Sequence, residues 1–202
     1  MFDWENDREQ LLDEIEEMIS RKRYTQLRDH LATMAAPDVA LLMQELEEDK
    51  LPLVFRLLPK EQAAEVFVEL DSDQQEMLIQ GFSNTELKEV LDELYLDDTV
   101  DIVEEMPANV VKRILRHADP DVRKSINEIL KYPEDSAGSI MTTEFVDLKA
   151  SLTVEDALKR IRRTGPDKET INICYVTDDA RHLLGYLSIR TLLLSEEDDV
   201  IG

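Results

Sequence analysis

Leu58–Leu91 reads LPKEQAAEVFVELDSDQQEMLIQGFSNTELKEVL, and this stretch decides the fold of the first two thirds of the chain. Pro59 precedes a run in which Ala63, Val66, Phe67 and Leu70 recur at helical spacing. Asp71-Ser72-Asp73 ends that run and offers side-chain oxygens to the free amides of a second helix. Ser83 opens a third helix 24 residues after Pro59, with Leu87, Val90, Leu91 and Leu94 as its stripe. Helices this short cannot bury an apolar stripe alone, so each must stack on its neighbours.

The same punctuation extends in both directions. Pro37, Pro59, Ser83 and Pro107 are spaced by 22, 24 and 24 residues. Mid-unit start signals recur at Asp71-Ser72-Asp73, Asp97-Asp98 and Asp119-Pro120-Asp121. Val110, Val111, Ile114 and Leu115 form a further stripe. Ahead of the repeats, Leu11, Leu12, Ile15, Met18 and Ile19 mark a longer opening helix, and Tyr24, Leu27, Leu31 and Met34 mark the next. A repeat of two short helices predicts an all-α superhelical domain over residues 1–130.

After Leu130 the period changes. Lys131-Tyr132-Pro133 breaks the last helix, and residues 131–140 read as a linker. Residues 141–202 then alternate strand and helix. Phe145–Leu148 is a strand, and Thr153 caps a helix on Val154, Ala157, Leu158 and Ile161 that Gly165-Pro166-Asp167 ends. Ile171–Val176 reads as a buried strand, Leu183–Leu187 as its return, and Ser188 as the start of a last helix through Leu192 and Leu193. The order β-α-β-β-α makes this an α+β unit. Ser195–Asp199 reads as linker.

Composition narrows the function. The chain has 202 residues, 23 Lys and Arg against 46 Asp and Glu, and a net charge of −23. Residues 1–130 hold 14 basic and 32 acidic side chains, net −18; residues 131–202 hold 9 and 14, net −5. Such a surface repels nucleic acid and attracts cations. No stretch approaches the roughly 20 apolar residues of a membrane helix, and no signal peptide is evident, so the chain as given reads as soluble. Cys174 stands alone, and His30, His117 and His182 lie at no metal-ligand spacing. There is no phosphate-binding Gly loop and no nucleophile elbow, so the sequence points away from an enzyme.

The residues carry a resemblance. Met141-Thr142, Leu152-Thr153-Val154, Tyr175-Val176-Thr177-Asp178 and Gly185-Tyr186-Leu187-Ser188 resemble a CBS motif. The junction Tyr132–Thr142, with its acidic pair Glu134-Asp135 and small residues Ala137-Gly138-Ser139, is similar to that of MgtE-type magnesium transporters. Leu57-Leu58-Pro59, Ala63-Ala64-Glu65 and Leu94–Asp98 resemble that family's N domain. The resemblance implies a cytosolic regulatory module, on the cytoplasmic side of the membrane, that senses magnesium and gates a pore by compaction. It further implies a piece lacking a second CBS motif, a connecting helix and a covalently continuous transmembrane pore domain. The alternative is a CBS-containing adenine-nucleotide-binding protein or protein-interaction scaffold.

Asp97 and Asp101 lie four residues apart on one expected helix face, and Glu61, Glu65 and Glu69 make a second acidic stripe. By residue type alone, Asp97 fits an N-cap, and Asp101 and Glu65 fit a solvated face. The resemblance implies that Glu65, Asp97 and Asp101 hold regulatory Mg2+. It also raises ATP or another adenine nucleotide as a ligand, with Ser188, Arg190 and Thr191 at a strand-to-helix corner, although Ser188 also fits a cap and Ile173 supplies no aromatic for stacking. CBS motifs pair, so a homodimer through this motif is expected.

Overall fold

The computed structural model describes residues 4–133 and 136–202, with side-chain surroundings from residue 10 onward; the Glu134-Asp135 pair lies outside the described residues. Two compact units emerge: Met1–Leu94 with Asp98–Tyr132, and Tyr95–Asp97 with Pro133–Gly202.

Among the described residues ten helices precede the sheet: α1 (Trp4–Ser20), α2 (Tyr24–Leu31), α3 (Ala36–Glu45), α4 (Leu51–Phe55), α5 (Lys60–Glu69), α6 (Ser72–Gly81), α7 (Asn84–Leu91), α8 (Leu96–Glu105), α9 (Ala108–His117) and α10 (Pro120–Ile129). The punctuation residues stand where helices begin. Pro37 occupies the first turn of α3, while Pro59, Ser83 and Pro107 are the N-caps of α5, α7 and α9. Ser83 and Glu86 form a reciprocal capping box, and Asp71 caps α6 by accepting the Gln74 amide at 2.9 Å. Asp119 precedes Pro120 at the start of α10.

The first helices of successive units lie against each other, α3 on α5, α5 on α7 and α7 on α9. That stacking buries the predicted stripes: Val66, Phe67, Leu78, Leu87 and Ile114 are all within 1% of full burial. Phe55, Phe67 and Phe82 meet at its centre, with ring centroids 5.4 to 6.3 Å apart. Side chains also tie one unit's helix ends to the next. Gln62 donates to the carbonyls of Leu31 and Met34 at 2.9 Å each, and Arg113 donates to those of Ile79, Gln80 and Phe82. These are carbonyls at or just beyond helix C-termini, which no intrahelical amide satisfies.

The second unit holds β1 (Val146–Lys149), α11 (Val154–Thr164), β2 (Ile173–Thr177), β3 (Leu183–Ser188) and α12 (Ile189–Leu194). The sheet order is β1-β2-β3, with β1 and β2 parallel and β2 and β3 antiparallel. Val146, Leu148, Val154, Ala157, Ile161, Cys174 and Leu192 make its core. The fold is thus an all-α repeat domain followed by an α+β unit in the expected β-α-β-β-α order.

Three local readings change. The strand read as wholly buried has one buried face, because Cys174 and Val176 point into the core while Tyr175 is exposed. Asp97 is not the N-cap of α8, since the helix already starts at Leu96. The Ser195–Asp199 stretch is not a free linker. The carbonyls of Asp199 and Glu197 accept the Val154 and Glu155 amides at 2.9 and 3.0 Å, and Ile201 packs on the core. The tail thereby satisfies the otherwise open N-terminal amides of α11.

Candidate functional site

The three nominated carboxylates sit on two helices. Asp97 and Asp101 are on α8, four residues apart, with Asp97 half-buried and Asp101 exposed. Val100, Val103 and Met106 face the core on the other side of the same helix, as its periodicity requires. Glu65 is exposed on α5, whose opposite face buries Ala63, Val66 and Phe67. Helical periodicity therefore turns Glu65 and Asp101 outward by burying their neighbours, while Asp97 is half-buried. Among the described residues no group of three or more His, Cys, Asp or Glu side chains gathers closely enough to hold a metal ion. A hydrated divalent cation can be held through one or two carboxylates and water, without a closed cage.

One contact at the start of α8 was not legible in the sequence. Glu144 accepts the Leu96 amide at 2.8 Å, taking over the first open N–H of α8. Burial pushes the Glu144 carboxyl above its usual range, the Leu96 hydrogen bond pulls it back, and the Asp97 carboxylate pushes it up again. Two carboxylates thus feel each other at this helix start. No sequence signal pairs residues 96 and 144, since they meet only through the fold.

A cleft of about 480 Å³ opens on the outer face of the sheet. Tyr175 and Phe145 line it with rings edge to face at 5.2 Å, and Ile173, Thr170 and Thr177 share its wall. Asp147 also lines it, its carboxylate held at 2.8 Å by the Arg160 guanidinium, which donates to the Asp147 carbonyl as well. The aromatic surface absent at Ile173 is therefore supplied two residues on, by Tyr175, on the same strand face.

Ser188, Arg190 and Thr191 line no part of this cleft. Ser188 Oγ accepts the Thr191 amide at 3.0 Å and lies 2.8 Å from the Thr191 hydroxyl. The Ser188 hydroxyl thus caps α12 and is bonded to the Thr191 hydroxyl, and Arg190 is exposed. Around the cleft the sheet shows a further apolar surface: Leu183, Leu184 and Tyr186 are 64%, 58% and 70% exposed.

Stacked two-helix repeats with an acidic surface, followed by a β-α-β-β-α unit in sheet order β1-β2-β3, define a helical-repeat domain joined to a CBS motif. The MgtE intracellular N domain family matches residues 34–135, and the CBS domain family matches residues 137–197. The chain belongs to the MgtE family. It is 34% identical over 192 residues to the magnesium transporter MgtE of Thermus thermophilus, which covers 93% of this chain and 42% of that protein. The magnesium transporter MgtE of Bacillus subtilis is 24% identical over 164 residues, 81% of this chain and 36% of the relative. The chain thus spans less than half the length of these transporters. Among solved structures, the cytosolic domain of the Mg2+ channel MgtE in complex with ATP superposes with a TM-score of 0.86 at 32% identity, over 94% of this chain and 78% of that one. Among the described residues no helix is long and apolar enough to cross a membrane.

Proposed function

We propose that this chain is the cytosolic, magnesium-sensing regulatory part of a magnesium transporter or channel, lying on the cytoplasmic side of the membrane. The observation that carries this reading is the carboxylate excess, net −18 over residues 1–130, on a helical-repeat domain of the MgtE family. The similarity at 32% identity to the cytosolic domain of a Mg2+ channel supports it.

Glu65, Asp97 and Asp101 are the proposed ligands, acting largely through water. At low Mg2+ the acidic surfaces repel one another and the assembly is loose. Bound cations remove that repulsion and favour a compact state, and the pore responds to compaction. The cation shifts the population only by its preference for the compact state. The chain's own role requires no catalytic step.

A second reading concerns the cleft on the sheet. We propose that it takes an adenine nucleotide, supported by the edge-to-face rings of Phe145 and Tyr175 and by the ATP complex of the solved relative. The exposed sheet face around it then pairs with another CBS motif, giving a homodimer.

Calorimetric Mg2+ titration and thermal melts test the magnesium reading. Mg2+ at about 100 times its dissociation constant should stabilise the chain by about 2.7 kcal/mol. The triple variant Glu65→Gln, Asp97→Asn, Asp101→Asn should lose most of that gain. An undiminished gain in the variant would remove these three residues from the site.

A further inference from the structure

The last repeat departs from the electrostatics of everything before it. Residues 1–106 contain 9 Lys and Arg against 29 Asp and Glu, net −20, whereas residues 107–132 contain 6 against 3, net +3. The pairing differs as well. From Arg21 to Lys88, every Lys or Arg except Lys22 lies within 3.1 Å of a carboxylate. Lys112 and Arg116, exposed on α9, have no such partner among the described residues, and Arg123 on α10 donates only to the Leu115 carbonyl at 3.2 Å. These three cations rim an open groove of about 650 Å³ whose apolar floor includes Met106, Val111 and Leu115. An apolar floor with a cationic rim is complementary to an element that presents leucines and carboxylates side by side.

The chain itself exposes such an element. Leu193 and Leu194 are 63% and 76% exposed, and the exposed acidic run Glu196-Glu197-Asp198-Asp199 follows directly. Its backbone is held by the bonds from Val154 and Glu155, so the four carboxylates are presented on an ordered backbone. We infer that the groove formed by α9 and α10 docks the Leu193–Asp199 stretch of a second copy of this chain. The contact is distinct from sheet-face pairing, because it is built on charge and on a different unit. A flat anionic membrane suits a concave groove less well, and the chain carries a net charge of −23. Between two copies that net repulsion is screened beyond about 8 Å at about 0.15 M salt, leaving the local charge pairs to decide.

Sedimentation velocity of the 202-residue chain at about 0.15 M salt tests this, at a screening length of roughly 8 Å. The exposed pair K112E/R116E should weaken self-association about tenfold, a change of the size that close charge pairs at interfaces produce. The decisive variant is E196K/E197K, which moves the net charge from −23 to −19. General repulsion predicts that this change strengthens association, whereas docking predicts that it weakens it. Combining both pairs returns the charge to −23 and should restore the wild-type association. Circular dichroism melts of each variant establish that it is folded. Stronger association of E196K/E197K, no recovery in the combination, or a chain that stays monomeric overturns the proposal. So does K112E/R116E-sensitive binding to phosphatidylserine vesicles with self-association unchanged, which would assign the groove to lipid.

Discussion

Glu86 shows how one side chain links two units of the repeat. Its carboxylate accepts from the Arg56 guanidinium at 2.7 Å and from the Ser83 amide at 2.7 Å, while Ser83 Oγ accepts the Glu86 amide at 3.2 Å. The Arg56 contact first, and the Ser83 bonds next, hold the Glu86 carboxyl down at about 2. A carboxyl whose value is depressed in the folded state stabilises the fold above its unfolded value of about 4.3, and that contribution fades as pH falls toward 2. The side chain is 34% exposed, so solvent screening cuts the effect. Glu86→Gln should therefore cost roughly 1 kcal/mol at neutral pH, with capping included. Urea melts of wild type and variant should converge between about pH 4 and pH 2. A cost that persists unchanged at acid pH would mean that packing, not charge, explains the residue.

At the scale of elements, several helix ends are satisfied by side chains from distant parts of the chain. The C-terminal carbonyls of α6 are served by Arg113 on α9, from more than thirty residues away. The fork of the guanidinium reaches several carbonyls at once, and a lysine ammonium does not reproduce that geometry. Arg113→Ala should cost roughly 1 to 3 kcal/mol by leaving these acceptors without donors, and Arg113→Lys should recover only part of it. Chemical denaturation measures both, and full recovery by lysine would reduce the role of Arg113 to charge alone. The start of α8 follows the same logic. Its first amide is met by Glu144, and Asp97 stands in the first turn, where the helix dipole favours a carboxylate.

For the whole molecule, the two units have separate cores. Phe67, 1% exposed, belongs to the aromatic centre of the first, and Ile161, 4% exposed, to the second. Phe67→Ala should destabilise the helical unit by roughly 3 to 5 kcal/mol. Hydrogen-exchange protection at Val146, Leu148 and Cys174 should hold in that variant. Matching losses in both regions would indicate one cooperative unit.

Much of this was legible in the sequence because its causes are local. Pro37, Pro59, Ser83 and Pro107 set helix starts through backbone geometry and capping, and both depend on residues a few positions apart. The outward position of Glu65 and Asp101 follows from helical period in the same way. The return of Ser195–Ile201 onto α11, the Glu144 contact at Leu96, the placing of Tyr175 rather than Ser188 beside the cleft, and the cationic groove were decided only by tertiary structure. Each joins residues distant in the chain. A periodicity can say which way a side chain faces, but what it meets there is set by the packing of other elements. The acidic helical repeat was thus determined by the sequence alone, and the chemistry of its surfaces by the fold.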